Sequence, residues 1–158
     1  MNPQLTRREA LGRLAALTTA ALAFPRLAGA QAKTPIIVYK DQSCGCCQKW
    51  VEHLQENGFS PSVIDSTKME SIKIRYKVAP KVQSCHTAVL GTYVVEGHVP
   101  AADIRRLMAL KPAGIVGLTI PGMPASAPGM DAKPFQPYTV RTFDETGKTT
   151  VFAKHDRG

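Results

Sequence analysis

A short apolar run with β-branched residues, Ile36-Ile37-Val38-Tyr39, and a run with helical spacing, Cys47, Trp50, Val51 and Leu54, are joined through a short polar loop into Cys44-Gly45-Cys46-Cys47. The first run reads as a strand. The second places its apolar residues at i, i+3, i+4 and i+7, with Glu52, Gln55 and Glu56 facing away and Gly58 just past the end as a stop. A strand therefore feeds, through Lys40-Asp41-Gln42-Ser43, into a helix whose first turn carries three of the four cysteines; the fourth, Cys85, is followed directly by His86. Three thiols in one turn are too close together to be scattered core residues. They need a shared role, either holding a soft metal or exchanging a disulfide.

The rest of the chain supplies the frame. Ser62-Val63-Ile64 reads as a second strand, and residues 69–77 as a weaker helix with Met69, Ile72 and Tyr76 on one side, interrupted by Pro80. His86-Thr87-Ala88-Val89-Leu90 and Tyr93-Val94-Val95-Glu96 form a hairpin through Gly91. A helix follows over residues 101–110, with Ile104, Leu107 and Met108 inward, and Pro112 ends it. Residues 117–137 are rich in Pro and Gly and read as an ordered loop lying against the body; Tyr138–Phe143 and Lys148–Phe152 make a last hairpin. The order β-α-β-α-β-β-α, with an added loop and hairpin, predicts an α/β fold of thioredoxin-like type: a mixed central sheet with flanking helices. The Cys-x-x-Cys pair, Cys44 and Cys47, falls at the first βα junction.

At that junction the helix N-terminus offers unpaired N–H groups and the positive end of the dipole, which favour thiolate, most of all at Cys44. In such a fold the chain entering the third strand passes beside the same spot. Cys85 is thus expected within a few ångströms of Cys44, Cys46 and Cys47. Four converging sulfurs favour Cu(I), which prefers thiolate and thioether ligands, and bridging thiolates let one site hold more than one copper. A closed zinc site and an iron–sulfur cluster remain alternatives by count, although a three-in-four cluster with adjacent cysteines is awkward for one tetrahedron. A Cys44–Cys47 bond is geometrically natural but closes a tiny loop, so purely structural disulfides are the weaker reading.

The start of the chain reads as an export signal. Thr6-Arg7-Arg8-Glu9-Ala10-Leu11 is a twin-arginine pattern, an Ala/Leu-rich run covers residues 14–24, and Ala28-Gly29-Ala30 supplies small residues for cleavage. The run is about half the ~20 residues of a membrane span, so no stable span is expected. Residues 1–30 are read as a cleaved leader and 31–158 as one metal-binding domain. The net charge of +8 loses Arg7, Arg8, Arg13, Arg26 and Glu9 with the leader and becomes +5. With no Lys/Arg run and few aromatics, no nucleic-acid partner is expected.

Four segments in order, Cys44–Trp50, Ser84–Ala88, Glu96–Pro100 and Pro121-Gly122-Met123-Pro124 through Pro128-Gly129-Met130, resemble those of the CopG-type proteins. The resemblance runs from about Pro35 to Asp131 and leaves out the terminal hairpin. It implies a periplasmic bacterial protein of thioredoxin-like fold, associated with copper resistance. It also implies copper held by Cys44, Cys46, Cys47 and Cys85 as a multinuclear thiolate cluster, with a role in copper redox handling.

Secondary candidates follow. Neighbours on a strand point to opposite faces, so His86 turns away if Cys85 faces the cluster; a ligand or supporting role is the alternative. His98, in a loop that the resemblance includes, is a candidate for the site or for a loop-locking hydrogen bond. Met123 and Met130 flank a loop able to fold over the site, and their thioethers suit Cu(I); anchoring that loop on the core is the alternative. His53 reads as a surface residue, His155 as inert tail, and Trp50 as a shield for the site, a core residue or both. The leading function is an exported Cu(I)-binding protein for copper resistance, with copper redox interconversion and with partners among copper ions and other periplasmic copper-handling proteins. A metal-free thiol–disulfide oxidoreductase using Cys44 and Cys47 and a copper metallochaperone are the competing functions.

Overall fold

The computed structural model describes residues 32–157; the proposed leader, residues 1–30, lies outside the described residues. Seven strands and three helices follow in the order β1 (Thr34–Lys40), α1 (Gly45–Glu56), β2 (Phe59–Asp65), α2 (Met69–Arg75), a 3-10 turn (Pro80–Val82), β3 (Thr87–Leu90), β4 (Tyr93–Glu96), α3 (Ala101–Leu110), β5 (Gly117–Thr119), β6 (Tyr138–Phe143) and β7 (Thr149–His155). They build one mixed sheet of order β2-β1-β3-β4-β5-β6-β7. β1 pairs parallel with β2 and antiparallel with β3, and β3 pairs antiparallel with β4. These are the strand order and polarity that the thioredoxin-like reading requires.

Each face of the sheet carries a buried cluster. Along β4 successive side chains leave on opposite sides: Val95 joins the main core, while Val94 joins a smaller cluster. The main core packs Trp50, Val51 and Leu54 of α1 and Ile104 and Leu107 of α3 against Ile36, Val38, Ala88, Leu118 and Val140 of the sheet. The smaller cluster sets Val78 and Val82, which follow α2, against Val94 and Phe143. The buried residues of α1 are Cys47, Trp50, Val51 and Leu54, the stripe its sequence predicts. The helix ends at Asn57, and Gly58 then takes φ +80°, where a side chain would be strained. No helix among the described residues is long and apolar enough to cross a membrane.

Four expectations need correction. The segment read as loop from residue 117 begins with a strand, Gly117–Thr119, parallel to β4 and antiparallel to β6. The terminal hairpin is therefore a continuation of the sheet and not an appendage. A three-residue strand is too short to show periodicity; Gly117 serves there because an added Cβ would meet the Val94 carbonyl. On α2 the buried residue is Lys73, while Ile72 and Tyr76 are only partly covered, because a buried carboxylate described below calls the lysine inward. His155 is not tail: it lies on β7, stacks on Tyr138 and donates to the Asp103 carboxylate of α3 at 2.7 Å. His53, expected at the surface, is half-buried and its Nε2 accepts the Ala101 N–H at 3.1 Å. It thereby satisfies one of the unpaired donors at the start of α3.

Candidate metal centre

Local geometry delivers the first three sulfurs. Asp41 accepts from the N–H and hydroxyl of Ser43 at 2.8 and 2.5 Å, and its carbonyl accepts from Cys44 N–H at 3.1 Å. This tight turn sets Cys44 at the N-cap of α1. The Ser43 hydrogen bonds hold the Asp41 carboxyl below the usual carboxylate range. Cys44 and Cys47 are joined as a disulfide, with Cα atoms 5.4 Å apart. Cys46 and Cys85 are free thiols, both half-buried, and Cys46 Sγ lies 3.5 Å from Cys44 Sγ.

The fourth sulfur arrives by tertiary structure. Glu96, at the end of β4, is fully buried. One of its oxygens accepts the Ser84 N–H at 2.7 Å and is paired with Lys73 Nζ; the other accepts the Thr87 hydroxyl at 2.7 Å. Lys73 also donates to Thr87 at 3.1 Å. Burial pushes the Glu96 carboxyl up, and Lys73 with the other donors opposes it. Gly97 adds its N–H to the His86 carbonyl at 3.1 Å and takes φ +76°, where a Cβ would collide with Ser84. Residues 84–86 are thus clamped on both sides. Cys85 occupies a bend, and the four ligand atoms of Cys44, Cys46, Cys47 and Cys85 lie within 4.8 Å of one another. Burial, partly offset by a hydrogen bond from Ser84, pushes the Cys85 thiol up to about 11.

His86 does not alternate with Cys85 as expected, because β3 begins only at Thr87 and Cys85 is not on a strand. His86 Nδ1 lies 3.3 Å from Cys85 Sγ. Its ring is buried between Trp50, 4.3 Å away between centroids, and His98, 5.0 Å away. His98 donates from Nδ1 to the Pro128 carbonyl at 2.7 Å. One ligand atom each from Cys47, Cys85, His86 and His98 also falls within 4.8 Å of the others. Burial holds both imidazoles below the ordinary histidine value, His86 far below. Trp50 is a core residue: it is buried, donates from Nε1 to Val99 O at 2.9 Å and packs against the His86 ring.

The Pro/Gly-rich loop lies against this corner. Gly129, at φ +83°, sits so close to α1 that a Cβ would come within 2.7 Å of Trp50 N and 3.0 Å of Cys46 O. Ser84 Oγ donates to Gly122 O at 2.6 Å. Met130 is half-buried and Met123 is 58% exposed. Lys73 and Glu96 were not singled out from sequence; the available signal was one acid closing the apolar run Tyr93-Val94-Val95. A surface hollow of about 500 Å³ is lined by Ser126, Asp131, Ala132, Lys133, Pro134 and Phe135. It contains none of these sulfurs or imidazoles, and an ion gripped by side chains needs no such cavity.

A family model described as "Protein of unknown function, DUF411" matches residues 82–130, the stretch from the 3-10 turn to Met130. No curated protein sequence matches. Two solved structures are similar over most of the chain. "Copper resistance protein copG- Form 1" is 38% identical with a TM-score of 0.73, covering 79% of this chain and 99% of that one. "Copper resistance protein copG- Form 2" is 40% identical with a TM-score of 0.72, covering 78% and 98%. With fold and sequence identity in agreement over nearly the whole length of both relatives, this chain belongs to the CopG-type copper resistance family.

Proposed function

We propose that this protein binds copper as its cargo, holding Cu(I) through Cys44, Cys46, Cys47 and Cys85. The carrying observation is the convergence of four sulfur donors within 4.8 Å, a donor set suited to a soft monovalent ion. Adjacent thiolates bridge, so the site takes more than one copper. The Cys44–Cys47 pair supplies a redox route: two Cu²⁺ and the Cys44/Cys47 dithiolate give two Cu⁺ and the disulfide. The two electrons leave the sulfurs as the S–S bond forms. The two Cu⁺ are then left with the Cys46 and Cys85 thiolates, and an external thiol that reopens the disulfide restores the four-sulfur set. Met123, next in the chain to Gly122, and Met130, next to Gly129, carry thioethers on the loop that packs against α1 and Ser84, where they would meet incoming Cu(I). The leader reading and the kinship with copper resistance proteins support export to the periplasm, where other copper-handling proteins are the exchange partners.

The test is anaerobic Cu(I) titration of the fully reduced protein against a chromogenic chelator. Two or more coppers per chain are expected, falling below one in Cys85→Ala. Fewer than one in the parent protein overturns the reading. The Cys44–Cys47 disulfide at a helix N-terminus favours one competitor, a metal-free disulfide oxidoreductase. Cys46→Ser separates the two: it cripples copper loading here, whereas retained disulfide reduction together with undiminished turnover would favour the competitor.

A further inference from the structure

The interior side of the cysteine cluster has a second donor set that the four-sulfur reading does not use. His86 and His98 are 0% and 1% exposed, and the Nε2 of each is buried with no hydrogen-bond partner. Two orphaned ring nitrogens, on rings whose centroids are 5.0 Å apart, are costly, since a buried polar atom without a partner loses its hydration for nothing. The tautomer of His98 is fixed: its Nδ1 donates to Pro128 O, so Nε2 carries the lone pair. An imidazole held by a backbone carbonyl at one nitrogen and free at the other is the usual arrangement of a metal-ligating histidine. His86 is held by Trp50 and His98 at ring distance and by its carbonyl's bond to Gly97. Both rings meet Cys47 and Cys85 within the same 4.8 Å.

We propose that Cys47, Cys85, His86 and His98 form a second metal compartment, behind the four-sulfur site and sharing two cysteines with it, that takes a borderline, redox-inert divalent cation such as Zn²⁺. Donor chemistry separates the two compartments. Four thiolates select Cu(I); two imidazoles with two thiolates suit a divalent first-row ion. Charge agrees: two thiolates neutralise a dication, as burial demands. With the Cys44–Cys47 disulfide closed, Cys47 is withdrawn and Cys85, His86 and His98 remain as a three-donor set. The disulfide state thus sets how tightly the divalent ion is held. The proposal shares its location with the Cu(I) reading but stands on the nitrogens, which that reading leaves idle.

The experiment uses Co²⁺, a divalent probe that thiolates do not reduce, added to the reduced full chain. One Co²⁺ per chain is expected, with tetrahedral d–d bands, thiolate charge transfer and paramagnetically shifted proton signals from two imidazoles. Zn²⁺ displaces it. His98→Asn keeps a donor for Pro128 O but removes Nε2. It should lose one imidazole signal and weaken Co²⁺ at least 10-fold, while Cu(I) capacity stays at the parent value. His86→Asn is the second arm, with the other imidazole signal lost. A sulfur-only Co²⁺ spectrum, or unchanged Co²⁺ affinity in both variants, overturns the compartment. Imidazole signals that persist in a protein failing the Cu(I) titration would sink the four-sulfur reading and leave this one standing.

Discussion

At the scale of single residues, burial decides which protonation states the site starts from. A Cys85 thiol raised to about 11 is protonated at neutral pH before metal arrives, so loading must expel its proton. Copper loading of Cys85→Ser at pH 7 should release at least about one proton fewer per chain, read by pH-stat in weak buffer. His53 shows the same physics in a structural role. Burial lowers it below the ordinary histidine value, with Glu56 and Asp131 acting against the shift and Arg105 with it. A base depressed by folding contributes stability that is complete above about 6.5 and is lost as the pH falls through the folded value. Protonation also removes the lone pair that accepts Ala101 N–H. His53→Gln places an amide oxygen near the Nε2 position. It should change stability at pH 7 by no more than about 1 kcal/mol and lose less between pH 7 and pH 5 than the parent, measured by urea unfolding.

At the scale of elements, the buried Lys73–Glu96 pair couples α2 to the end of β4 and, through Ser84 N–H, to the bend that presents Cys85. A buried pair adds little net stability, but breaking one half leaves a naked charge. Lys73→Met should cost about 3–5 kcal/mol in urea unfolding. Adding Glu96→Gln, which removes the charge, keeps one oxygen to accept the Ser84 N–H and lets the amide N–H donate to the Thr87 hydroxyl, should recover part of that loss. A second mutation with no restoring effect would show that Glu96 is neutral in the folded protein. The pair also marks the limit of pattern reading. The spacing of Met69, Ile72 and Tyr76 pointed to an apolar face for α2, but a lysine inside a helix pattern reads as solvent-facing unless its distant acid is known. By contrast α1, α3, β4 and β6 were legible, because each carries its own stripe or alternation over enough residues to set a face.

For the whole molecule, the Cys44–Cys47 disulfide is not the staple of the fold. It closes a sequence separation of three residues, for which loop entropy gives about 2 kcal/mol at most. Reduction of the metal-free protein should therefore lower its unfolding free energy by no more than about 2 kcal/mol. Stoichiometric Cu(I) should then raise the melting temperature above that of the oxidised protein. If reduction alone unfolds the chain, the disulfide is structural and the reading of it as a redox pair fails. The sheet holds the molecule instead: β5 is only three residues long, yet it joins the core strands to the hairpin of β6 and β7 in one seven-stranded sheet.

The sequence by itself determined the strand–cysteine–helix junction, the order of the principal elements and the chemical class of the site, because those depend on residues a few positions apart. Cys44, Cys46 and Cys47 share a turn whatever the rest of the chain does. Only the tertiary structure decided that β5 completes the sheet, that Lys73 turns inward to Glu96, and that His86 and His98 meet the cysteines with two nitrogens unpaired. Those outcomes depend on partners distant in sequence, set side by side by sheet pairing and by the cost of burying polar groups alone. No local period records them.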